Sequence, residues 1–162
     1  MAPHEKEGFG GNPAGDAQGD PRGQAMTEAS LAVQKAIGDR LAAAAEVTAI
    51  VPAGDIADRG GRPARFPSIT IGDAQALDAG LDLKRRHVIV AATLHLWLAE
   101  PGLARVKALA GAVKRALRPR FTTSDGYQIA DLKVEGVRFL RDPDGQHSHG
   151  VVDVEALVKE PT

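Results

Sequence analysis

The chain contains no cysteine. That removes disulfide scaffolds, thiolate zinc sites, iron–sulfur clusters and cysteine nucleophiles at once. Aromatic residues are scarce, at 4% of the sequence with one Trp and one Tyr, so the core must be built from aliphatic side chains. Charge of one sign is also lacking. With 20 Lys plus Arg against 21 Asp plus Glu the formal charge is -1, and no global field draws the molecule to DNA or to an anionic membrane. Long hydrophobic runs are absent too. The most apolar stretch, Val88 to Leu98, is broken by Thr93 and His95 and falls far short of the roughly 20 residues that span a bilayer. No signal-type apolar region follows Met1.

What is present is 162 residues, 43% of them hydrophobic, the size of one domain. Gly and Pro supply 9 of the first 26 residues but only 19 of the other 136. A segment so poor in large apolar side chains cannot offset its ordering entropy, so residues 1–26 are expected to be disordered and residues 27–162 to form a single α+β domain.

Within that domain Thr27 is a candidate N-cap, and Val33, Ile37, Leu41 and Ala44 share a helical face that Val47, Ile50 and Val51 extend to Pro52. A short extended piece is possible at Asp55 to Asp58, and a strand is expected at Phe66 to Ile71. Ala74 to Arg86 is weakly patterned and reads as a long loop. His87 to Leu98 is the clearest strand: Val88, Val90, Ala92, Leu94, Leu96 and Leu98 form an apolar face, and His87, Ile89, Ala91, Thr93, His95 and Trp97 a mixed one. Leu103, Val106, Ala110, Val113 and Leu117 mark a second helix that Pro119 ends. Tyr127 to Arg141 is a strand whose alternation shifts at Gly136, where a β-bulge is expected, and Val152 to Val158 is the last strand. The expected order is α-β-β-α-β-β, an antiparallel sheet with two helices packed on one face.

Two chemistries can be weighed. Asp142, Asp144, His147 and His149 could ligate a metal and serve a small metal-dependent enzyme, but they lack ligands at characteristic spacing, and a solvated hairpin turn explains them as well. Arg105, Lys107, Lys114, Arg115, Arg118 and Arg120, with Lys84-Arg85-Arg86 and Arg59, Arg62 and Arg65, could form a nucleic-acid-binding module; exposed aromatics and a recognition helix are not evident. No catalytic residue, cofactor-binding residue or metal ligand is therefore assigned. His95 and Trp97 are candidates for a subunit contact.

Six segments taken in order, MTEASLAVQKAIGDRLAA (26–43), FPSITIGD (66–73), HVIVAATLHLW (87–97), VKALAGAVKRAL (106–117), DLKVEGVRFLRDPDG (131–145) and HGVVDVEALV (149–158), resemble the tail-completion (tail terminator) proteins of long-tailed phages and of phage-derived gene transfer agents. The resemblance covers about residues 26 to 160 and carries no catalytic signature. It implies a non-enzymatic virion-assembly subunit, without cofactor, that forms a homo-oligomeric ring expected to be a hexamer. The ring would sit at the head-proximal end of the tail of a phage-like particle assembled in the bacterial cytoplasm. There it would end the tail tube and meet the head-tail connector, with DNA passing through unread and no membrane involved. In such a ring Asp78 and Asp82, followed by Arg85 and Arg86, are expected to pair head to tail with the neighbouring copy.

Overall fold

In a computed structural model, residues 28–120, 123 and 125–162 are described. The expected tail 1–26 and the N-cap Thr27 lie outside the described residues. The first described helix, α1 (Ala29–Ala43), is capped instead by Glu28, whose carboxylate accepts from Ser30 N at 2.9 Å. Its buried stripe of Ala29, Val33, Ala36, Ile37 and Leu41 follows the helical period. The helix does not run on to Pro52. Ala44 is extended (φ -82°, ψ 113°), and a single turn, α2 (Ala45–Thr48), leaves in a new direction. That break lets Val47 and Val51 enter the core, where both are completely buried.

A 3-10 turn at Ala53–Asp55 leads into strand β1 (Ile56–Asp58); then come β2 (Ser68–Asp78), β3 (His87–Leu98), helix α3 (Ala104–Leu117), β4 (Gln128–Arg141) and β5 (Ser148–Lys159). The five strands form one sheet in the order β1-β2-β3-β5-β4. The α+β class holds, but the sheet is mixed: β1 runs parallel to β2 over three residues, and every other pairing is antiparallel. The extended piece before the loop is thus a fifth strand, able to lie parallel because 59–67 brings the chain back across the sheet.

Three features depart from the sequence pattern or refine it. Strand β2 continues seven residues past Ile71, through a register shift between Ile71 and Ala74, so the expected long loop from Ala74 shrinks to residues 79–86. Its outer half hid from the pattern because residues 73–78 are all exposed and have no buried face to alternate. The bulge expected at Gly136 is present between Val134 and Gly136, and a second lies between Ile129 and Asp131.

Both long helices lie on the sheet face made by Ile69, Ile71, Val90, Leu94, Leu96, Leu98, Val152, Val154, Ala156 and Val158. Val106, Leu109, Val113 and Leu117 of α3 are almost wholly buried there. Gly150 permits the close approach of α3, since a Cβ at that position would lie 3.1 Å from Val106 Cγ2 and 3.3 Å from Leu96 Cβ. Arg40 Nε donates to Ala116 O at 2.9 Å, tying α1 to α3, and Arg115 pairs with Glu46 at 2.7 Å, tying α3 to α2. Among the described residues, no helix lies on the opposite face of the sheet.

Candidate functional site

The helix-free face holds an aromatic and imidazole ladder that the antiparallel register builds. Trp97 pairs with His149 across β3 and β5, and His95 stands two residues back on the same face. The Trp97 and His149 rings stack at 3.8 Å and 8°, and His95 Nδ1 lies 2.8 Å from His149 Nε2. Phe66, delivered by the 59–67 segment, meets Trp97 edge-on at 6.3 Å. Trp97 is consequently only 8% exposed: its own chain covers it, while His95 and His149 stay half-buried. Burial lowers the His149 pKa to about 4, with the neighbouring His95 adding to the effect; burial lowers His95 as well. Further along this face Thr93 donates to Asp153 at 3.2 Å and Lys133 bridges Glu135 and Glu155.

The four residues weighed as metal ligands divide. His149 belongs to the ladder. Asp142, Asp144 and His147 converge within 4.8 Å of one another, but Arg62 reaches the same point. Its guanidinium contacts Asp142 at 3.0 Å, Asp144 at 2.6 Å and His147 Nδ1 at 2.9 Å, and lies over the Phe66 ring at 5.4 Å. Asp144 also accepts from Gln146 N at 2.8 Å, and these donors hold its carboxyl well below the usual range. The arrangement is an ion-pair knot that pins the 59–67 segment to the β4–β5 turn, across 82 residues of chain.

Several of the basic residues are held by their own chain. Arg105 pairs with Glu100 at 2.6 Å, Arg115 with Glu46, and Lys107 sits over Phe139 at 5.7 Å.

The remaining sequence candidates meet in the β2–β3 hairpin, 79–86. Asp78 accepts from Gly80 N and from Arg85 Nη1, both at 2.7 Å; Asp82 accepts from Arg86 N at 3.1 Å and contacts His87 Nδ1 at 2.9 Å. These bonds hold both carboxyls below their ordinary values, the backbone donor being the largest cause in each. Arg85 takes a left-handed backbone (φ 51°) within this network. Asp78, Asp82 and Arg85, expected to reach a neighbouring copy, are thus engaged inside the hairpin, and beside the exposed Lys84 three leucines project: Leu77, Leu81 and Leu83 are exposed, Leu83 completely. Sequence reading passed over these leucines because they follow no strand or helix period, although three leucines in so polar a stretch were themselves a signal.

Residues 35–159 match the family model described as Tail completion protein gp17. The solved structure "Virion of native gene transfer agent (GTA) particle" contains a chain with a similar fold, at a TM-score of 0.70 and 22% identity, over 82% of this chain and 99% of that one. No curated protein matches the sequence.

Proposed function

Starting from the fact that the chain belongs to the tail completion protein gp17 family, we propose that copies of it close into a ring, six to a turn, that ends the tail tube of a phage-like particle and joins it to the head connector. The carrying observation is the family match itself, which spans the folded unit from within α1 to the last residue of β5. The shape of the subunit supports the ring. Its sheet ends in two unlike lateral edges, β1 with the outer half of β2 on one side and β4 on the other. Unlike edges make heterologous contacts, which close into rings when the rotation between neighbours permits.

Asp78, Asp82, Arg85 and Arg86 then act by shaping the hairpin that reaches the neighbour. His95 and Trp97 hold the helix-free face as a stiff surface for the tube or connector protein. DNA would traverse the ring without being read; Arg62, Arg85, Arg105 and Arg115 are held in ion pairs with their own chain. This role needs no cofactor and no catalysis. Particles assembled without this chain are expected to carry overlong tails or tails unattached to heads; tails of normal length joined to heads would overturn the proposal.

A further inference from the structure

We infer that the 59–67 segment is a latched strap: Arg62 holds it closed over Ser68, Thr70 and Trp97, and release of Arg62 lets it lift off the helix-free face while the rest of the sheet stays folded. The hold of this segment on the molecule is local. Residues 59–62, 64 and 65 are exposed, Pro63 is buried, and the chain turns at Gly61, whose φ of 73° suits glycine. Arg65 adds little, since its pair with Asp55 is long, at 3.9 Å, and its side chain is 80% exposed. The main anchor is one point on the β4–β5 turn. There Arg62 meets Asp142, Asp144 and His147, and the Phe66 ring lies 4.2 Å from the His147 ring. Arg62 is itself 44% exposed, so dissolved ions reach the latch.

What lies beneath the strap works against closure. Ser68 pairs with Trp97 and Thr70 with His95, which puts both hydroxyls on the helix-free face. Arg59, Pro63 and Arg65 of the strap close over them, leaving a space of about 10 Å³ that holds no more than one water. Five buried side-chain polar atoms have no hydrogen-bond partner among the described residues, and three of them are Ser68 Oγ, Thr70 Oγ1 and Trp97 Nε1. Further along the same face the polar groups are paired, Thr93 with Asp153 and Lys133 with Glu135 and Glu155. A buried donor or acceptor left unpaired costs free energy that solvent would return on opening. Closure therefore sets the Arg62 ion pairs and the packing of Phe66 and Pro63 against three orphaned groups. Removing the ion pairs tips that balance toward the open strap, which uncovers the indole N–H and the two hydroxyls beside the His149 ring.

Trp97 is the one tryptophan of the chain, so its fluorescence reports on the strap directly. In the full-length protein at low salt, acrylamide should quench Trp97 weakly. Raising NaCl to 1 M, where the Debye length falls to about 3 Å, should increase the quenching constant at least about twofold. Arg62→Gln should show the increased value already at low salt and lose the salt response, with its far-ultraviolet circular dichroism unchanged. Asp144→Asn breaks the latch from the other side and supplies the same reading if Arg62→Gln does not fold. Wild-type quenching that ignores salt, or a folded latch variant whose Trp97 stays as protected as in wild type, would overturn the strap. Neither result touches the ring reading, which rests on the family match.

Discussion

Single residues set the behaviour of the helix-free face. Gly72 lies in the irregular stretch of β2, where a Cβ would stand 3.0 Å from the His95 ring and 3.1 Å from the Thr93 carbonyl. Backbone cannot yield there, so Gly72→Ala should destabilise the chain by about 1 to 3 kcal/mol in urea melts, as overpacking does; an unchanged midpoint would show that the ring moves aside freely. The His95–His149 pair predicts a pH dependence. Unfolded imidazoles take up protons below about 6.5, whereas folded His149 resists protonation down to about 4. Between those values the unfolded state binds more protons, so stability is full above the upper limit and falls as pH drops through the window. Asp144, Asp78 and Asp82, whose pKa values are lowered, add a separate loss only below the ordinary carboxylate range. His149→Gln should therefore flatten the urea midpoint between pH 4.5 and 7 and spare the steeper fall at lower pH. A variant that tracks wild type throughout would contradict this account.

Elements explain how much of the fold was legible. Strand β3 and the stripe of α3 could be read because one face of each is covered and the other is not, which prints a period on the sequence. That packing predicts a cost of about 2 to 4 kcal/mol for Leu94→Ala, whose side chain is completely buried. A neutral result in chemical unfolding would refute the register. The break at Ala44 could not be read, since an alanine run favours helix and only the burial of Val47 and Val51 overrides it. The outer half of β2 was hidden because exposed strands show no alternation. Asp78, Asp82, Arg85 and Arg86 stand close in sequence and lie at one hairpin, yet which charges turn inward depends on backbone donors such as Gly80 N and Arg86 N that no side-chain pattern reveals. Arg85→Glu would set like charges against Asp78 and should speed hydrogen exchange at Gly80, while global stability stays within about 0.5 kcal/mol. Unaltered exchange at Gly80 would mean that the pair does not hold the loop.

At the scale of the whole molecule, the fold divides its labour between two faces and two edges. The helices seal one face of the sheet, the Trp97 ladder and the Arg62 knot stiffen the other, and the sheet ends in two unlike edges, which the proposed ring would use. A near-zero net charge would suit the proposed ring, whose copies approach one another closely. The central claim is closure, and sedimentation of the full-length chain at increasing concentration, alone and with tube protein, tests it most directly. Closure predicts one discrete species near 102 kDa, six times 17.0 kDa, with no open-ended series above it. A monomer at every concentration with and without tube protein, or a ladder of multimers growing without limit, would contradict it.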